Sequence, residues 1–257
     1  MAPRLPALAL FVMASLALAA CGGEDPTATA APEPTAATST DPTPIPTVDP
    51  GIARTTVTLS PSEDASIYED GDNISNGSGN HIFVGNNLRA SLTRRALVRF
   101  DIAGNIPAGS TITEVQLDTT VNRTRTGGVS VALHRLAASW TEGATVAPNP
   151  EGKGAESESG DVSWSARSAG GDLWSSPGGD FDPQHSATTS AGGLNAEVTW
   201  LSTEALVADV QGWLDDSDGN FGWILVGEEN RGQTTKRFDS REGGSGPQLT
   251  IAYVPAG

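Results

Sequence analysis

Glu114-Val115-Gln116-Leu117-Asp118-Thr119-Thr120-Val121 alternates without a break: Val115, Leu117, Thr119 and Val121 fall on one side, Glu114, Gln116, Asp118 and Thr120 on the other. A period of two sends successive side chains to opposite faces of a pleated strand, so this stretch predicts a strand with one buried and one wetted face. The same alternation recurs at Val57 and Leu59, at Val129, Val131 and Leu133, at Val198 and Trp200, and at Leu249, Ile251 and Tyr253. Ala96 to Phe100 and Phe221 to Val226 are nearly continuous apolar runs, the pattern of central strands covered on both faces. About ten short strands bounded by Gly, Asn, Asp and Pro, without alternating helices, predict an all-β, jelly-roll-like two-sheet β-sandwich over residues 54–257.

One helix interrupts the strands. Leu206, Val207, Val210, Trp213 and Leu214 form a stripe at helical spacing, with Ser202 as the expected N-cap and Glu204 near the positive helix end. The helix is expected to cover one open end of the sandwich, with Trp213 in the core.

The residues ahead of the domain obey different physics. Residues 1–20 have the layout of a secretory signal: Arg4 supplies the positive charge, and Leu8 to Leu18 form an apolar stretch too short to span a bilayer. Leu18-Ala19-Ala20-Cys21 resembles the lipobox of bacterial lipoproteins, which implies a lipid on Cys21 and an exported protein held to a membrane. Residues 21–53 are rich in Thr, Ala and Pro and cannot bury enough apolar surface to offset the entropy of ordering, so a disordered tether is expected. At ~3.1 Å per residue, about thirty extended residues reach roughly 90 Å.

A formal charge of −16 sets a field that repels nucleic acid, which excludes it as a partner. Cys21 is the only cysteine, so the domain has no disulfide to rest on. A chain of about 200 residues can do without one, because it buries roughly 70% of its unfolded surface.

Several motifs occur in a telling order: Arg95-Ala96-Leu97-Val98-Arg99-Phe100-Asp101, Ile106-Pro107-Ala108-Gly109-Ser110-Thr111-Ile112, Leu133-His134-Arg135-Leu136 and Trp140-Thr141-Glu142-Gly143. Pro177-Gly178-Gly179-Asp180-Phe181, Val207-Ala208-Asp209-Val210-Gln211-Gly212-Trp213, Asn220-Phe221-Gly222-Trp223 and Phe238-Asp239-Ser240-Arg241-Glu242 follow. Together they resemble the DNRLRE-type, disaggregatase-related domains of bacterial and archaeal surface proteins, over essentially the whole folded region. Such domains are similar to carbohydrate-binding modules, and some are attached to polysaccharide-degrading enzymes, including alginate-active ones. The resemblance implies a jelly-roll sandwich with a polysaccharide as its partner.

Sugar recognition needs aromatic faces for ring stacking, and arginines where the sugar carries carboxylates. Trp140, Trp164 and Trp174 fall in the long, Gly/Ser-rich segment from Ala138 to Gly193 and are one candidate set. The competing reading is that they pin this segment onto the sandwich, with Gly160-Asp161, Gly171-Asp172 and Gly179-Asp180 as ordered turns. Arg89, Arg94, Arg95, Arg123 and Arg125 are the second set, either an anion-binding face or neutralisers of the chain's own carboxylates. Glu69, Asp70, Asp72 and Asn73 offer hard oxygen ligands for a structural Ca²⁺, against the alternative of a solvated turn. As an EF-hand begun at Asp70, the loop places His81 where a bidentate Glu belongs.

His81, His134 and His185 lie in no nucleophile or metal motif, so no enzyme is expected. The leading expectation is a non-catalytic surface module that retains polysaccharide, acidic or neutral. A structural or adhesion element without a small ligand is the first alternative, and a polysaccharide lyase or hydrolase the second.

Overall fold

The computed structural model describes residues 53–71, 73–87 and 92–257. The expected signal segment, Cys21 and the expected tether up to residue 52, with Asp72 and Arg89, lie outside the described residues. The strands are β1 (Thr55–Leu59), β2 (Glu63–Tyr68), β3 (Ile74–Asn76), β4 (His81–Asn86), β5 (Thr93–Arg99), β6 (Thr111–Thr120) and β7 (Arg123–Thr124). They continue as β8 (Val129–Leu136), β9 (Ala155–Glu156), β10 (Phe181–Ala191) and β11 (Glu197–Trp200). After helix α1 (Glu204–Asp215) come β12 (Trp223–Gly227), β13 (Lys236–Asp239) and β14 (Gln248–Val254).

Two sheets face each other, as the alternation predicts. The smaller runs β1-β14-β6-β11; the larger runs β10-β8-β12-β5-β2-β3-β9, all antiparallel, with β4, β13 and β7 as a branch. The branch arises on β5. Its Ala96 to Val98 pair with β12, but Thr93 and Arg94 pair with Asn86 and Gly85 of β4, so the ladder turns onto a new course through β4, β13 and β7.

The alternation of β6 reads directly into burial: Ile112, Val115, Leu117 and Thr119 point inward, joined by Leu249, Ile251 and Tyr253 of β14. These residues meet Ala96, Val98, Val131, Leu133, Trp223 and Leu225 of the larger sheet in the main core. The continuous runs behave as central strands for a definite reason. Ala96, Val98, Trp223 and Leu225 face the main core, while Leu97 and Ile224, one residue out of phase, face a second core on the opposite side of the sheet.

The helix is present, and Trp213 is buried beside Trp223 at a ring separation of 4.5 Å, as expected. Its cap is corrected by one residue. Thr203, not Ser202, accepts the Leu206 N–H at 3.0 Å, while Ser202 accepts from Val115 of β6. Gln211 accepts from the Ile112 N–H and donates to Ser110, tying α1 to the start of β6. Among the described residues no helix is long and apolar enough to cross a membrane.

Candidate functional site

Three neighbouring strands of the branch set one row of side chains in register: Phe83 on β4 opposite Arg237 on β13, and Arg237 opposite Arg123 on β7. Like charges directly opposite on adjacent strands are destabilising. Burial lowers the Arg237 pKa, and the neighbouring Arg123 lowers it further. Arg237 donates Nε to Asn122 Oδ1 at 2.6 Å, and neither it, Arg123 nor Arg125 forms an ion pair among the described residues. Around this row lies a cleft of about 180 Å³, bordered also by Arg94, Arg125, Asn87 and Gln233.

Two devices hold the walls. Lys236, fully buried beside Arg237, donates its three ammonium hydrogens to the carbonyls of Thr126, Gly127 and Gly192 at 2.5–3.0 Å. It clamps the turn that carries Arg125, and burial lowers its pKa. On the other wall Arg94 stacks over Tyr68, donates Nε to the Gly152 carbonyl at 2.9 Å, and reaches Asp70 at 3.3 Å. Tyr68 donates to the carbonyl of Glu151, whose φ of 66° lies in the left-handed region that a non-glycine residue occupies only at a cost.

The arginines singled out in the sequence therefore divide. Arg94, Arg123 and Arg125 converge on the cleft, with Arg94 as a wall whose donors are already engaged. Arg95, one residue out of phase, lies on the opposite face, bidentate to Glu229 at 2.8 Å and stacked on Trp164 and Phe181. It neutralises a carboxylate. Arg237 was not singled out; its signal was the short alternation Lys236-Arg237-Phe238-Asp239, with Phe238 buried and Arg237 out of phase.

Two of the three candidate tryptophans turn inward and the third, Trp164, is partly buried. Trp140 and Trp174 are only 4% and 5% exposed and fill the second core, their indole N–H groups donating at 2.9 Å to Phe221 and Ser163 carbonyls. Trp164 packs against that core beneath Arg95. The segment is pinned, as the competing reading held, and its Gly-Asp steps are built turns. Asp161 is wholly buried and accepts from Ala144 and Glu158 N–H groups at 2.7 and 2.6 Å. Gly143 has φ +81°, and a side chain there would overlap Asp161, which explains the glycine of Trp140-Thr141-Glu142-Gly143. The segment is also shorter than read, because its last part is the long strand β10, whose Asp182-Pro183-Gln184-His185 is exposed and hides the alternation.

In the proposed metal loop, Glu69 accepts the Thr93 N–H at 3.1 Å and Asp70 pairs with Arg94. A different set of carboxylates meets elsewhere: Asp64, Glu142 and Glu242 bring one oxygen each within 4.8 Å of one another. Burial pushes the Asp64 carboxyl up to about 7, against the lowering effect of the Arg241 backbone N–H. Burial raises Glu142 as well. His134 accepts a structural role, its Nδ1 2.8 Å from the Asp182 carbonyl.

No curated protein matches the chain. Residues 55–163 match the sequence model of carbohydrate-binding module family 96. The matched span cannot close the sandwich alone, since β14 lies between β1 and β6. It holds four of the cleft's defining residues, Phe83, Arg94, Arg123 and Arg125, while Arg237 comes from beyond it. On this match and this fold, the chain carries a carbohydrate-binding-module-like domain.

Proposed function

We propose that the domain is a non-catalytic module, of the DNRLRE type, that binds acidic polysaccharide in the arginine cleft. The observation that carries this is the cross-strand pair Arg237 and Arg123, with Arg125 beside it, unpaired by any described carboxylate in a chain of net charge −16. Like charges directly opposite on neighbouring strands cost stability, a cost that a bound anion would offset. Guanidinium forks match carboxylate geometry bidentately, so the sugar class favoured is a uronate rather than a neutral hexose. Phe83, buried at 4% exposure, is the floor of the cleft beneath the arginines and not a free stacking face.

The described lining holds no carboxylate, histidine or tyrosine to serve as general acid or base, which supports binding rather than cleavage. The lipid expected on Cys21 and the tether behind it would hold the captured polymer near a membrane surface.

Affinity electrophoresis of the full chain through gels containing polyuronate or a neutral glucan tests the reading. Migration is retarded by polyuronate alone, and the retardation weakens as salt rises, because exposed charge pairs are screened. Equal mobility in all gels returns the domain to a structural or adhesion role. New reducing ends or unsaturated product from the polyuronate would replace binding with catalysis.

A further inference from the structure

Two sequence motifs that the glycan cleft does not use, Trp140-Thr141-Glu142-Gly143 and Phe238-Asp239-Ser240-Arg241-Glu242, meet at one point of the fold. Glu142 lies in the segment after β8, Glu242 in the short 3-10 turn Arg241–Gly243, and Asp64 on β2. A carboxylate oxygen of each lies within 4.8 Å of the other two. Asp64 is fully buried.

Local donors account for only part of this oxygen. Asp64 Oδ2 accepts the Arg241 N–H at 2.7 Å, and Glu142 Oε1 accepts the Asp64 N–H at 2.7 Å. The Arg241 guanidinium is 2.7 Å from both Glu142 Oε2 and Glu242 Oε1. Asp64 Oδ1 and Glu242 Oε2 remain, both buried and both without a hydrogen-bond partner. A buried carboxylate oxygen without a donor is costly, and such atoms call for an explanation. Fully ionised, three carboxylates against the one guanidinium that touches them would leave two negative charges over. Arg99, the nearest cation on the adjoining strand, is already paired with Glu63.

We infer that Asp64, Glu142 and Glu242 form a structural site for one divalent cation of the calcium class. The donor set is all oxygen, with no histidine or thiol, which suits a hard cation and not zinc. The ion would meet the two donor-less oxygens and match the residual charge, with water completing its six to eight positions. Its structural effect follows from where the ligands come from. It would join β2 to the start of the tryptophan segment and to the turn before β14, three parts of the chain distant in sequence.

Calorimetric titration of the chelator-stripped full chain with CaCl₂, beside thermal melts with CaCl₂ or EDTA, tests the site without any sugar. One Ca²⁺ per chain is expected, with Kd on the order of 10⁻⁴ M or tighter, as in extracellular modules. At 10 mM CaCl₂ the melting temperature rises by about 5 °C over EDTA. Glu242→Gln, at a partly exposed position, removes both heat and shift, while Glu69→Gln, in the Glu69 to Asn73 loop, keeps them. An unresponsive native chain overturns the site, as does a calcium response that survives Glu242→Gln or disappears in Glu69→Gln. A glycan-binding failure leaves these readouts unmoved, so the two proposals fail separately.

Discussion

The tryptophan segment after β8 and the arginine turn between β7 and β8 look alike as sequence, both polar, glycine-punctuated and carrying side chains suited to sugars. They fold in opposite senses. Trp140 and Trp174 turn inward because each indole N–H reaches a backbone carbonyl at 2.9 Å while its rings fill the second core. Arg123 and Arg125 stay outward and find no carboxylate among the described residues. The difference lies in partner accounting: a large polar side chain whose donors are met within the fold is architecture, and one whose donors are left over is available to a ligand.

Trp174→Ala should break this contrast most violently if it is wrong. Removing a buried indole costs about 3–5 kcal/mol, with a fall in melting temperature of about 10 °C or more. Polyuronate affinity, measured below the lowered melting point, should stay within about twofold of the parent's. A variant that melts normally and loses the glycan would make Trp174 a ligand contact. The double variant Arg123→Ala with Arg125→Ala is the mirror test. Charge-assisted bonds of about 1.5–3 kcal/mol each predict an affinity loss of about 100-fold or more, with the melting temperature shifted by about 2 °C or less. A stability loss without an affinity loss would move these arginines to the architectural class.

What the sequence discloses about the fold and the site follows the same division. Strand alternation around Glu114 to Val121 and the continuous runs at Ala96 and Phe221 named the sandwich, because one-face and two-face burial leave different local periods. The helix stripe was legible too, although adjacent Ser202 and Thr203 are equivalent caps until one of them is drawn to β6. The arginine cleft was half legible. Composition marks Arg123 and Arg125 as unusual in an acidic chain, but nothing local says that Arg237 pairs across from Arg123, since register between β13 and β7 is a non-local fact. The meeting of Asp64, Glu142 and Glu242 was not legible at all, for no spacing rule joins residues 78 and 178 positions apart from the first (142 − 64 and 242 − 64).

Lys236 lies between the two classes, buried like a tryptophan yet serving the outward arginines. Lys236→Met keeps much of the volume but leaves the carbonyls of Thr126, Gly127 and Gly192 without their shared donor. The turn bearing Arg125 should loosen, lowering polyuronate affinity about tenfold at a stability cost of about 1–3 kcal/mol. Unchanged affinity with the same stability cost would show that the clamp serves the core alone.

Asp209 sharpens the contrast from the inward side with the smallest expected effect. It faces the main core, accepts from Ser186 Oγ at 2.6 Å and Trp223 Nε1 at 2.7 Å, and lies 3.9 Å from the Arg135 guanidinium. Burial raises its pKa above the usual carboxylate range despite these donors. A raised native value means that the folded chain holds this proton more tightly than the unfolded one. The resulting stability is therefore complete below the unfolded pKa of about 4 and is lost as pH climbs through the folded value. Asp209→Asn keeps an acceptor for both donors and removes the titration. The melting temperature of the parent relative to this variant should decline as pH rises from about 4 toward neutrality. A difference that is flat or rises over that range would mean that Arg135 and the two donors outweigh desolvation, making Asp209 a paired charge rather than a buried one.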